Sequence, residues 1–137
     1  VTPRWRGGLG TLAGGFQSDL EARFGTPQEQ AAGLGFGAGV SSLAYNGAFF
    51  AGPMVSATGR TALGAGSLYG GLEASWTLPV GGGAALFTDT IWWGPVAGYA
   101  SRPGKVRWGV ELVPLIGDVD AVSVGAQGWV RLSAQAR

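Results

Sequence analysis

The chain has 137 residues, 12% of them charged and 46% hydrophobic, with 27 Gly, no Cys, no His and a formal net charge of +1. That is about half the ~25% charge of an ordinary soluble domain, and one excess positive charge offers no basic stripe to track phosphates, which argues against a nucleic-acid partner. Without Cys there are no disulfides or thiolates, and without His the commonest general base and transition-metal ligand are both missing.

Taken in order, the chain reads as strands. Residues 4–16, RWRGGLGTLAGGF, are Gly-rich strand material whose two faces are not distinguished. Gln17-Ser18-Asp19 has turn chemistry. Leu20, Ala22 and Phe24 then alternate with Glu21 and Arg23, a short two-faced strand by the period of two that extended chains impose. Gly25 to Gln30, with Pro27, is loop-like. Over 32–44, Leu34, Phe36, Ala38 and Val40 share one face, and Gly33, Gly35, Gly37, Gly39 and Ser41 share the other. Asn46-Gly47 is the strongest hairpin signal in the chain. A fourth strand is predicted over 48–57, with Thr58-Gly59-Arg60-Thr61 as its turn.

The fifth strand is expected over 62–78. Leu68, Leu72, Ala74, Trp76 and Leu78 lie opposite Ser67, Tyr69, Gly71, Glu73, Ser75 and Thr77, and Pro79 to Gly83 closes the hairpin. The sixth segment, 84–101, loses its parity near Asp89 and Trp92-Trp93-Gly94-Pro95, which reads as a bulge. Arg102 to Lys105 turns the chain into a last hairpin, 105–134. There Val106, Trp108, Val110 and Leu112 oppose Lys105, Arg107, Gly109 and Glu111. Val122, Val124, Ala126, Val130 and Leu132 likewise oppose Ser123, Gly125, Gln127 and Arg131, about a turn at Gly117-Asp118. The expectation is one all-β domain, 1–137, an antiparallel up-and-down barrel of about eight strands with short turns. The uncharged run 31–59 is long enough for a membrane helix, but Gly at alternate positions and Pro53 are poor helix material.

Two architectures accommodate such strands: a soluble barrel or sandwich with an apolar core, and a membrane barrel turned inside out. The polar face decides. It holds Glu21, Arg23, Glu73, Arg107, Glu111 and Arg131 among Gly, Ser, Thr, Gln and Tyr, three acids and three bases, which suits a paired network inside a lumen. The apolar face, with Leu34, Phe36, Leu72, Val106, Val110, Val122 and Val130, then meets lipid. Trp76, Trp93, Tyr99 and Trp108 supply an aromatic girdle at the membrane interface.

In this pattern the chain resembles the small eight-stranded outer-membrane barrels, the OmpA-type transmembrane domain and its OmpX-like relatives, over residues 4–134. The resemblance implies a bacterial outer-membrane protein with a filled lumen, with lipid, other envelope proteins or further copies of the chain as partners. It departs from the family in Pro53, Pro95 and Pro114, which fall inside proposed strands, and in its end at Ser133-Ala-Gln-Ala-Arg137, where relatives usually finish on an aromatic residue.

A Ser–His or Asp–His catalytic constellation is impossible here. Glu73 and Glu111 suggest a carboxylate pair for acid–base work, but salt bridges to Arg107 and Arg131 are the more economical expectation. Asp118 and Asp120 read as turn formers rather than a Ca²⁺ site. No cofactor or metal is expected. The function read from sequence is a non-catalytic envelope barrel with a structural, anchoring or assembly role. The alternative is a soluble barrel or sandwich that binds an apolar ligand or a protein partner.

Overall fold

A computed structural model describes residues 2–10, 15–27, 30–45, 47–83, 89–118 and 124–136; at 2–10, 45, 118, 124–127, 129 and 136 the backbone alone is described. Its strands are β1 (Thr2–Gly10), β2 (Phe16–Gly25), β3 (Ala32–Tyr45), β4 (Ala48–Leu63), β5 (Gly66–Gly82), β6 (Thr90–Ala100), β7 (Val106–Asp118) and β8 (Val124–Ala136). Each pairs antiparallel with its neighbours in sequence, and β1 also pairs with β8 over Arg4–Gly10, so the sheet closes on itself. The all-β, antiparallel, up-and-down order is the one the alternation predicts.

Closure sets a stagger. Ladder partners followed around the wall run Gly125, Gly117, Trp92, Ser75, Met54, Gly39, Glu21, Arg4, and return to β8 at Gln135, ten residues from the start. With a rise of ~3.3 Å per residue and ~4.8 Å between strands, that stagger tilts the strands by roughly 40° from the barrel axis.

Several boundaries differ from the sequence reading, each for a visible reason. Gln17-Ser18-Asp19 is strand, because Gln17 and Asp19 continue the inward parity of Glu21 and Arg23. Thr58 to Thr61 is also strand, and the chain reverses at Gly64, whose φ of 59° suits a tight turn. Pro79 to Gly82 belongs to β5, with a bulge opposite Phe49 and Phe50. Gly117 and Asp118 lie on β7, and pairing continues to Asp118↔Val124. The Asn46-Gly47 hairpin keeps its place: Tyr45 pairs with Ala48, and Gly47 has φ 74°.

Three strand prolines, Pro53, Pro95 and Pro114, point outward and explain themselves. The β6–β7 ladder stops at Trp93↔Ile116 and resumes at Ala97↔Leu112. That register sets Pro95 opposite Pro114, so two residues without an N–H share one gap instead of making two. Pro53 sits in a second interruption, between Ala51↔Leu78 and Met54↔Ser75.

The two faces of the wall differ sharply. Outside, Leu20, Val40, Val55, Leu72, Leu112 and Leu132 form an exposed aliphatic zone. It is bordered by Phe24, Phe36, Tyr99 and Trp108 toward the end where β1 begins and β8 finishes, and by Phe16, Phe49, Trp76 and Trp93 toward the other. From strand rise and tilt the two aromatic borders stand about 20 Å apart. At its border Trp76 Nε1 donates to Asp89 Oδ2 at 2.9 Å.

Inside, the polar face expected throughout gives way at the end near Gly47 to an apolar cluster of Leu43, Ala48, Phe50, Trp92, Val96, Val113 and Leu115. These residues share the inward parity of Ser41, Thr90 and Glu111, and in β7 both parities become apolar after Glu111, which hides the pattern from sequence.

The proline gap makes the β6–β7 seam the least bonded in mid-wall. Hydrogen exchange followed by mass spectrometry should show peptides covering Trp93–Ala97 and Leu112–Ile116 exchanging faster than one covering Gly37–Val40, where pairing to both neighbours is unbroken.

Candidate functional site

The site is the lumen. Antiparallel strands turn alternate side chains inward, and all six residues expected there are inside: Glu21, Glu73, Arg107, Glu111 and Arg131 are buried and Arg23 is partly buried. Arg131 and Glu111 are 0% exposed. So much ionic burial is tolerable only where charges meet partners.

Arg131 is the centre. Its Nη1 donates to Asp19 Oδ2 at 3.1 Å and to Glu73 Oε2 at 3.1 Å, and its Nη2 donates to Glu73 Oε1. A guanidinium is a rigid planar fork, so this forked grip on Glu73 fixes orientation as well as charge. Gln17 Nε2 extends the network to Asp19 Oδ1 and Ser41 Oγ, each at 3.1 Å. These residues come from β8, β2, β5 and β3; Asp19 and Ser41 are ladder partners, and the tilt brings Arg131 and Glu73, which are partners of neither, to the same level.

A second group lies beside it. Arg23 Nη1 donates to Glu21 Oε1 at 3.0 Å and its Nη2 to Thr58 Oγ1 at 2.7 Å, while Ser56 Oγ donates to Glu21 Oε2 at 3.2 Å. Tyr69 donates its hydroxyl to Glu111 Oε1 at 2.7 Å. The glycines of β3 leave room for this. A Cβ at Gly35 would come within 2.6 Å of Arg23 Nη2, and one at Gly37 would collide with the Glu21 carboxylate.

Three expectations are corrected. Counting from a turn at Gly117-Asp118 puts Glu111 and Arg131 out of register; because pairing runs on to Asp118↔Val124, they are direct partners. Arg107 does not pair with Glu73 or Glu111 but donates Nε to Ser101 O at 2.7 Å and Nη2 to Ser67 Oγ. Arg60, expected in a turn, is half-buried on β4 and donates to the carbonyls of Thr26 and Pro27. The sequence reading misses Asp19, the second acid on Arg131, by assigning it to a turn. The signal was there: Gln17, Asp19, Glu21 and Arg23 alternate with Phe16, Ser18, Leu20, Ala22 and Phe24.

The lumen is thus stacked in three levels: the apolar cluster, the charged belt, and above the belt a cavity of about 270 Å³ at the end where β1 begins. Arg23, Arg60, Arg107, Thr58, Ser67, Tyr69 and Gln135 line the cavity.

On the outside, the expected lipid-facing Leu34, Phe36, Leu72, Val106, Val110 and Val130, and the expected girdle Trp76, Trp93, Tyr99 and Trp108, are between 42% and 62% exposed. Val122 and Asp120 lie outside the described residues, and of Asp118 only the backbone is described. Among the described residues no group of three or more His, Cys, Asp or Glu is placed to hold a metal ion. Comparison with protein-family models, with curated proteins and with solved structures returned no match to this chain.

The belt makes Arg131 the costliest side chain to remove. Arg131→Ala removes the guanidinium that Asp19 and Glu73 share and should lower unfolding stability by about 3–5 kcal/mol. Arg102→Ala, on an exposed connection, should leave the denaturant midpoint unchanged. Equal midpoints for the two variants would show that Arg131 is solvated.

Proposed function

We propose that this chain is an integral β-barrel of the bacterial outer membrane whose role is structural: an anchor, scaffold or envelope-assembly subunit of the OmpA or OmpX type. The observation that carries the proposal is the inversion of the wall, with Leu72 60% exposed and Arg131 fully buried. In water an apolar belt of this size would cost about 25 cal/mol for each Å² left wet, and such patches ordinarily mark contact with lipid or protein. In a bilayer the same belt is stabilising, and its two aromatic borders suit the headgroup levels. A spacing of about 20 Å approaches the ~25 Å apolar band of outer-membrane barrels.

Closure supports the reading too. Strands cross hydrocarbon only when every edge is paired, since unsatisfied N–H and C=O groups there cost several kcal/mol each, and β1–β8 pairing leaves no edge. No helix among the described residues is long and apolar enough to cross a membrane; in this proposal the strands do so. The role is read as non-catalytic because the acids of the belt serve as partners for Arg131 and Arg23 rather than facing a substrate cleft. The soluble alternative requires an apolar lumen open to a ligand, and it sits poorly with a cavity lined by three arginines. Lipid is then the principal partner, and the outward belt leaves room for other envelope proteins or further copies of the chain.

Folding into vesicles tests this. The chain should insert into phosphatidylcholine bilayers, resist protease there, and migrate differently on gels before and after boiling. Leu72→Arg, at mid-belt, should cost about 2–4 kcal/mol of folding stability in the bilayer. A chain that stays monodisperse without detergent, and for which Leu72→Arg is neutral, would overturn the proposal.

A further inference from the structure

The cavity at the β1-start end of the lumen has an uneven chemistry. Arg23, Arg60 and Arg107 all line it, and among the described residues no Asp or Glu does. Arg23 is matched by Glu21 from the side, and Glu111, the next acid inward, is taken up by the Tyr69 hydroxyl. Arg107 differs from Arg23 and Arg131, each of which holds a carboxylate. It is 6% exposed, and among the described residues its hydrogen bonds go to neutral acceptors, Ser101 O and Ser67 Oγ. A buried guanidinium held only by neutral oxygens is strongly favoured by an anion brought into reach.

We propose that this vestibule binds a phosphate group. Planar guanidinium forks match phosphate oxygens, and arginine is the usual residue where such anions are recognised. Thr58, Ser67, Tyr69 and Ser133 add hydroxyls to the same wall, and Gln135 adds an amide. A dianion answers several guanidinium groups better than a single carboxylate, which selects phosphate over acetate-like ligands. The volume of about 270 Å³ admits a phosphate with a small substituent, not a folded partner chain. Phe24 and Trp108 border both the cavity and the outer aromatic ring. The phosphate can therefore come from a free phosphorylated solute or from a lipid headgroup at that level. The inference depends on the cavity and stands whether or not the outer belt meets lipid.

Calorimetric titration of the folded full chain with inorganic phosphate, at constant ionic strength in non-ionic detergent, tests it. Saturable binding is expected, weakened at least tenfold by Arg107→Gln and unchanged by Lys105→Gln on the exposed loop. Should Arg107→Gln fail to fold, Ser133→Asp replaces the ligand with a built-in carboxylate and should abolish phosphate binding in a folded barrel. Repeating the titration in nanodiscs separates the sources. Phosphate binding lost in phosphatidylglycerol but kept in phosphatidylcholine points to an anionic lipid headgroup in the site, and binding kept in both points to a free solute. Absence of saturable heat in detergent, or equal affinity in wild type, Arg107→Gln and Ser133→Asp, overturns the proposal.

Discussion

The fully buried guanidinium of Arg131 is the constraint the rest of the molecule answers to. It draws one carboxylate from a residue 112 positions away and another from one 58 positions away. Of these, Asp19 stands two strands from β8 around the wall and Glu73 stands three strands away in the other direction. An ion pair that spans the lumen exists only if the sheet is closed and its stagger correct. The wall, in turn, accepts a central charge because two acids and a set of hydroxyls and amides surround it. Register and electrostatics therefore specify one another: with the stagger altered, Asp19, Glu73 and Arg131 would no longer stand at one level.

Much of this could be read from sequence because a strand's alternation is a binary signal. Glu21, Glu73, Glu111 and Arg131 fall inside, and Leu34, Leu72 and Val110 fall outside, by parity alone. Parity says nothing about height, however. Arg107 and Glu111 share a strand face, yet one stands beside the vestibule and the other beside Arg131, and only the register separates them. Turn chemistry misled at Gln17-Ser18-Asp19, because a lumen selects the same small polar residues that turns select, and at Gly117-Asp118, where pairing runs on to Val124. The inner apolar cluster was hidden for a related reason: Leu43, Val113 and Leu115 follow polar residues on the same face, so the inward side changes character along a single strand.

Gly35 and Gly37 of β3 make room for side chains of β2, whereas Gly39 lets the β2 backbone come close. With no side chains at Gly35 and Gly37, the bulk of Arg23 and Glu21 is laid across the neighbouring strand. A lumen this narrow is filled by side chains, and it takes long charged ones only where an adjacent strand gives up its own. Alternate glycine opposite alternate charge is therefore one packing motif, written on two strands at once, and it is more informative than either pattern read separately.

The ten-residue closure also governs how the chain can change length. Inserting one residue within a strand exchanges its faces from that point onward, which would put Glu73 on the outer surface and Leu72 in the lumen. An insertion of two keeps the faces but moves every contact beyond it by one pair along the barrel, separating Arg131 from its acids. The connections between β2 and β3 and between β6 and β7 carry neither penalty, because no ladder pair among the described residues includes them. Descendants of this sequence are accordingly free to diverge in size at those two connections, while the count of residues within the strands that carry Asp19, Glu73 and Arg131 is held fixed.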